Sequence, residues 1–283
     1  MTGVRLGLIG DNIARSRSPL LHIEAGRLCG LHVTYERLVP ADIAVPFETV
    51  FERCRQTGFH GINVTYPYKE QVVPLVRIDD AVVSRVGACN TVLFSGNRAE
   101  GYNTDHSGFI AAYRSVFAGR EPGTVAMAGA GGVGKAIAFA LAELASPRLQ
   151  LYDPDTGRAA ALAQSIAAAD AGMIVRVCSS IDEATDGADG LMNCTPLGMA
   201  EHPGTAVPAA LMDKAAWAFD AVYTPVETEF LNDARAAGLE VMSGYELYFH
   251  QGVDAFRLFT GRQVDQTALR GVLTMRETER ADP

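Results

Sequence analysis

Short apolar runs alternate with longer stretches of helical spacing along almost the whole chain. VRLGLIG is an apolar run closed by glycine, the pattern of a buried strand. After the polar loop DNIARSRSP, the stretch LLHIEAGRLCG has helical periodicity and a terminal glycine. VTYERLVP then predicts a strand, residues 46 to 58 a helix, HGINVTYP a strand that stops at Pro67, and residues 68 to 76 the start of a further helix. NTVLFSGNRAEGYNTD reads as a hairpin. A second series begins at residue 124 with the strand TVAMA, a helix over residues 135 to 145, and the strand LQLYD, and it continues through VRVCS, DGLMNCT, AFDAVY and LEVMSG. Strand and helix alternating in this way predict parallel sheets, so two α/β units lie in tandem. The amphipathic stretch at residues 247 to 260 is too long and apolar to be left in solvent, and it is expected to pack back on the first unit.

Composition narrows the function classes. The chain has 283 residues, 48% of them hydrophobic and 20% charged, which is the balance of a globular protein with room for two ordinary domains. Its 33 acidic residues against 24 basic ones leave a net charge of −9, with no basic block of the kind that holds nucleic acid. No stretch predicts a membrane span or a cleavable leader, so a cytoplasmic location is expected. Cys29, Cys54, Cys89, Cys178 and Cys194 form no C-x-x-C pair, and the six histidines show no metal-ligand spacing, so neither a disulfide framework nor a metal is expected.

Two phosphate-binding patterns overlap at GAGGVGKA, residues 129 to 136. A nucleoside-triphosphate loop needs a hydroxyl after the lysine to ligate magnesium, and that position is Ala136. The dinucleotide pattern G-x-G-x-x-G is complete at Gly129, Gly131 and Gly134, and it requires a strand before, a helix after and an acid about twenty residues on. TVAMA and the run KAIAFALAELA meet the first two demands. Asp153, nineteen residues after Gly134, meets the third as the acceptor for adenosine ribose hydroxyls. A 2′-phosphate about 4 Å from this carboxylate would be repelled by roughly 4 kcal/mol per charge pair at a surface-like dielectric, so NAD is expected over NADP. Arg158 has the reach to meet a 2′-phosphate; its alternative reading is a solvated helix charge.

A dinucleotide cofactor implies hydride chemistry, which needs a substrate site and a proton-transfer group elsewhere. The candidates lie at strand ends. Ser16 and Ser18 in SRS precede a helix, where hydroxyls and backbone amides suit a carboxylate, or simply cap the helix. NVTYPYK sets Asn63 and Thr65 on one side of a strand end and carries Lys69 into the following turn. Asn90 in GACNT and Asp105 in NTD close the first unit, and ligands commonly bind in clefts between domains.

The series SRS, NVTYPYK, CNT, NTDHSG, GAGGVGKA, NCTPLGM, DAVYTP and HQGVDAF, in this order and spacing, resembles the shikimate dehydrogenase family over residues 5 to 262. The resemblance implies an α/β enzyme of two domains: a substrate domain with a mainly parallel sheet (residues 1–105 and 245–283) and a Rossmann-type cofactor domain (106–244). It implies Lys69 and Asp105 as the catalytic pair beside the hydroxyl being oxidised. Ser16 and Ser18 would hold the substrate carboxylate, Thr65, Asn90 and Gln251 the ring hydroxyls, and Tyr223 would lie near the carboxylate. The cofactor would meet Gly129, Ala130, Gly131, Gly132, Val133, Asp153 and Arg158, with Thr195, Met199 and Gly244 lining the site. His106 and His250 flank these candidates, but the family pattern needs neither.

The chain departs from the NADP-using biosynthetic members, which follow the second Rossmann strand with Asn-Arg-Thr. Here Asp153 and Pro154 replace the first two of those positions, which resembles the NAD-dependent quinate/shikimate branch associated with catabolism. The implied partner is a small acid, shikimate or quinate, acted on by a monomer or homodimer, with no nucleic acid and no membrane involved. Retention of Lys69 and Asp105 argues against a ligand sensor that has lost catalysis.

Overall fold

The apolar run near the start of the chain becomes β1 (Gly3–Ile9) in the computed structural model, which describes residues 3–169 and 172–281. The chain continues through α1 (Ser18–Leu28), β2 (His32–Leu38), α2 (Phe47–Gln56), β3 (Gly61–Val64), α3 (Ala81–Val86), β4 (Thr91–Ser95) and β5 (Arg98–Tyr102). These strands form one sheet in the order β2-β1-β3-β4-β5. β1 pairs in parallel with β2 and β3, because α1 and α2 return the chain to the same sheet end. β4 runs antiparallel to both β3 and β5, since only Gly96 and Asn97 separate β4 from β5 and so short a loop must reverse the chain. The sheet is therefore mixed.

The helix expected at residues 68 to 76 is a series of turns with a single 3-10 turn at Val73–Leu75. Pro74 has no amide to donate and its ring would collide with the carbonyl four residues back, so the helix cannot propagate. Val73 N bonds Glu70 O and Leu75 N bonds Val72 O instead, three residues back. α3, which the apolar pattern did not announce, is bracketed by an Asp80 cap that accepts from Val82 N and Val83 N and by Gly87 in the left-handed region.

Next come α4 (Thr104–Phe117), β6 (Thr124–Ala128), α5 (Gly132–Glu143), β7 (Arg148–Tyr152), α6 (Thr156–Ala168), β8 (Ile174–Val177), α7 (Ile181–Thr185), β9 (Gly190–Asn193), β10 (Trp217–Asp220), α8 (Glu229–Ala236), β11 (Glu240–Met242), α9 (Gly244–Thr260) and α10 (Gln266–Ala281). The second sheet is wholly parallel, in the order β11-β10-β9-β6-β7-β8. From β6 the chain first adds β7 and β8 on one side and then β9, β10 and β11 on the other. The switch point of this doubly wound sheet thus lies between β6 and β9.

The chain divides into two units, one running to Thr104 and resuming at Gln251, the other spanning Asp105–His250. In the second, Trp217 of β10 is fully buried against Tyr113 and Phe117 of α4, and its indole donates to Pro122 O at 3.1 Å. Burying such a ring, on the order of 200 Å², contributes roughly 5 kcal/mol. In the first unit, the later part of α9 supplies Phe256 and Phe259, which lie against the His22 ring. A Cβ at Gly61 would strike the Phe259 ring and come within 2.7 Å of Val92 O, so this central strand position has room only for glycine.

Candidate active site

The first unit gathers polar side chains at one end of its sheet. Asn63 is the penultimate residue of β3, and its Nδ2 donates to Thr91 Oγ1 at 3.0 Å and to Asn90 O at 3.3 Å, while its Oδ1 accepts from Tyr35 at 2.8 Å. Asn90 Oδ1 accepts from Thr104 N at 2.8 Å, Thr91 Oγ1 at 3.0 Å and Thr104 Oγ1 at 3.2 Å. With the oxygen so committed, the amide nitrogen of Asn90 is the end left to meet a ligand hydroxyl. Thr104 Oγ1 also lies 3.4 Å from Gln251 Oε1, which brings Asn90 and Gln251 together. Asp105 follows Thr104 directly, in the first turn of α4, and is buried.

Lys69 sits in the turns after β3, half-buried, and its carbonyl accepts from Cys89 N at 2.8 Å, which ties its backbone to the residue before Asn90. Thr65 continues β3, with its amide on Ile9 O at 2.9 Å and its methyl where a Cβ of Gly10 would sit. Ser16 and Ser18 stand at the N-terminus of α1, their hydroxyls 3.2 Å apart, and the Ser16 hydroxyl also accepts from Ser18 N, the first amide of the helix, at 3.3 Å. Arg37 donates to Ser16 O at 2.8 Å and fixes this loop from β2.

Beneath this cluster lies His22, fully buried and stacked on Tyr35 at 5.0 Å. Burial pushes its pKa down to about 3, and its Nδ1 has no partner among the described residues, so the ring is neutral. Tyr35, Thr91 and Thr104 were not singled out from sequence. Thr91 and Thr104 lie inside the CNT and NTDHSG motifs and Tyr35 on β2, but only the hydrogen bonds show that they orient Asn63 and Asn90.

In the second unit the glycine-rich loop follows β6. Gly129 has φ 101°, and a Cβ there would stand 2.7 Å from the carbonyl carbon and oxygen of Cys194. A Cβ at Gly134 would strike Gly129 O, whereas one at Gly131 would meet no atom within 4 Å. Gly129 and Gly134 are thus glycine for packing, but Gly131 opens onto free space of the kind a pyrophosphate needs. Gly131 precedes α5, whose first turn, Gly132 to Gly134, has amides with no intrahelical acceptor; Val133 is half-buried there.

Asp153, at the end of β7, is buried and accepts from Ala130 N at 2.7 Å and from Asp155 N at 2.9 Å. Its carboxylate is therefore fixed against the loop. Arg158 lies in the first turn of α6, exposed, with its guanidinium 4.0 Å from Asp155 Oδ2. Thr195 and Met199 lie in the loop after β9, and a Cβ at Gly129 would be 3.0 Å from the Thr195 methyl. Gly244 starts α9, and a Cβ there would be 2.5 Å from Val222 O. Tyr223 stacks on Tyr248 with centroids 5.2 Å apart and planes 7° from parallel. His106 and His250 face Glu143 and Glu246 at 3.5 and 3.9 Å.

The family model for the shikimate dehydrogenase substrate binding domain matches residues 8–92. A quinate/shikimate dehydrogenase (NAD(+)) of Corynebacterium efficiens is 38% identical over 273 residues, which cover 94% of this chain and 96% of the relative. The chain belongs to the shikimate dehydrogenase family. Members of both cofactor types are similar to it: a shikimate dehydrogenase (NADP(+)) of an Arthrobacter species is 37% identical over 94% of the chain and 92% of its own length. Among solved structures, quinate dehydrogenase of Corynebacterium glutamicum in complex with NAD superposes with a TM-score of 0.88 at 36% identity, over 97% of this chain and all of that one. The two-domain α/β fold of the family is the one described above.

Proposed function

We propose that this chain is an NAD-dependent dehydrogenase that oxidises the C3 hydroxyl of shikimate, quinate or both, and reduces the corresponding ketones. The observation that carries the cofactor assignment is Asp153, held by two backbone amides against the glycine loop, where a ribose diol is welcome and a 2′-phosphate is repelled. Relatives named for NAD and for quinate or shikimate support the same reading. NADP use is the second reading, supported by relatives named for NADP and by Arg158 nearby.

The first unit serves as the substrate domain and the second as the cofactor domain. Ser16 and Ser18 hold the acid's carboxylate at the start of α1. Thr65, the Asn90 amide nitrogen and Gln251 hold the ring hydroxyls. The neutral Lys69 amine takes the proton of the C3 hydroxyl during oxidation, becoming an ammonium, and returns it during reduction, and Asp105 orients the lysine side chain. When bound, NAD⁺ accepts the hydride from C3. The amides at the start of α5, with Gly129 to Val133, receive the pyrophosphate, and Thr195, Met199 and Gly244 line the same site. Among the described residues no helix is long and apolar enough to cross a membrane, in keeping with a proposed cytoplasmic location.

The test is a matrix of shikimate and quinate against NAD⁺ and NADP⁺, followed at 340 nm. Turnover of either acid with NAD⁺ well above that with NADP⁺ is the expected result. A strong NADP⁺ preference overturns the Asp153 argument, and no turnover in any combination overturns the substrate assignment.

A further inference from the structure

The loop after β9, residues 193 to 199, forms one wall at the switch point of the second sheet. Asp153 and β7 place the adenosine half of a dinucleotide on one side of β6, so the loop on the other side faces the remaining half. It stands in contact with the glycine loop, as the Cβ positions at Gly129 and Gly134 show against Cys194 and Thr195. Helix and strand do not account for its path.

A single amide does. Asn193, fully buried at the end of β9, accepts from Thr195 N at 2.9 Å and Thr195 Oγ1 at 2.6 Å, and donates to Leu197 O at 2.8 Å and Asp220 Oδ1 at 2.9 Å. These four bonds are all that a primary amide can make. Thr195 Oγ1 passes the order onward by accepting from Leu197 N at 3.1 Å.

Asp220 pairs with Asn193 across β9 and β10 and is also fully buried. Its Oδ1 accepts from Asn193 Nδ2 and from Val222 N at 2.9 Å, and its Oδ2 from Thr228 Oγ1 at 2.6 Å. A buried carboxylate is expensive to maintain without donors, and here three donors surround it. What the carboxylate adds is direction. It accepts and cannot donate, so the Asn193 oxygen cannot turn toward it and must face Thr195.

We propose that Asp220 is a positioning residue for the cofactor: acting through Asn193, it sets the conformation of the 193–199 loop and so governs dinucleotide affinity without touching the dinucleotide. The inference rests on the proposed NAD-binding role of this unit. Burial also pushes the Asp220 pKa up to about 6, against the pull of its three donors, which marks how unfavourable the charge is at this place.

The test compares Asp220→Ala with Asp220→Asn in the full-length enzyme. Asparagine can still accept from Asn193 and Val222 with its oxygen while its amide donates to Thr228, so it is the conservative replacement. Asp220→Ala is expected to raise the NAD⁺ dissociation constant, titrated by calorimetry, about tenfold or more, and to raise KM for NAD⁺ with it, while KM for the acid stays within about twofold. Asp220→Asn is expected to restore both to within about threefold of wild type. If Asp220→Ala does not fold, Asp220→Ser, which keeps a short hydroxyl but not the reach to Asn193, carries the same expectation. Folded Ala or Ser variants that bind NAD⁺ as wild type does, with only the melting temperature lowered, would overturn the inference. Wild-type protein that binds neither NAD⁺ nor NADP⁺ would overturn both the inference and the reading beneath it.

Discussion

Replacing Asp153 by asparagine tests the cofactor assignment where the structure is most explicit. The carboxylate uses one oxygen for Ala130 N and the other for Asp155 N, at 2.7 and 2.9 Å. An asparagine has one acceptor oxygen, so one of these amides would face an N–H instead. Losing a charge-assisted bond and leaving a buried donor unpaired costs roughly 1.5–3 kcal/mol, or several degrees in melting temperature. The electrostatic effect is larger. Removing the charge cancels a repulsion of roughly 4 kcal/mol for a 2′-phosphate charge about 4 Å away, and even a third of that after screening is about tenfold in relative affinity. The ratio of kcat/KM for NAD⁺ to that for NADP⁺ should therefore fall by about tenfold at least and about a thousandfold at most. The assay is initial rate at 340 nm with each cofactor, on protein shown to be folded by its thermal transition. A ratio unchanged within twofold in folded Asp153→Asn would refute the argument.

Other consequences can be checked in parallel. Lys69→Ala should lower kcat by on the order of 10² to 10⁴ while cofactor binding is retained, and unchanged turnover would remove Lys69 from the mechanism. Gly129→Ala, forced into φ 101° with its Cβ 2.7 Å from the Cys194 carbonyl, should abolish measurable NAD⁺ binding or unfold the second unit, as calorimetry and circular dichroism would report. His22, held down to about 3, supplies stability that is complete above the unfolded value near 6.5 and is lost as pH falls toward about 3. Asp220, pushed up to about 6, acts in reverse: its contribution is complete below the unfolded value near 3.8 and is lost as pH rises through about 6. The two oppose each other between about pH 4 and 6. Urea denaturation of wild type and His22→Asn at pH 7.5 and 5.0 should show the wild-type advantage shrinking by up to about 2 kcal/mol at the lower pH, and an advantage independent of pH would refute the burial argument.

Elements with periodic apolar faces were legible, and so was the glycine loop, because its strand, helix and acid stand in fixed sequence relation. The helix expected at residues 68 to 76 failed on Pro74, a local breaker that the apolar pattern outweighed. α3 is short and its signals were its caps, Asp80 and Gly87, while α4 opens on the polar run Thr104 to Ser107 before its apolar positions begin. The same contrast runs through the site. Asn90, Thr104 and Gln251 all lie in motifs, but that Thr104 joins the other two becomes visible only when β4, α4 and α9 are placed in space. Asn193 and Asp220 end two apolar strands, DGLMNCT and AFDAVY. A polar residue closing a buried strand in a parallel sheet was the available signal, and pairing across β9 and β10 is what connects the two.

The first unit is assembled from both ends of the chain, with Phe259 from beyond Gln251 filling the space over Gly61 and Leu21 meeting the bare backbone at Gly252. Residues 105–250 are continuous, so on the ribosome they can be complete while the earlier segment still lacks the helices that close it. Order of synthesis and order of completion are therefore reversed. The first unit finishes last, only after the residues beyond Gln251 have emerged, and a chain cut short after His250 would carry the second unit complete while the first lacks Phe256 and Phe259.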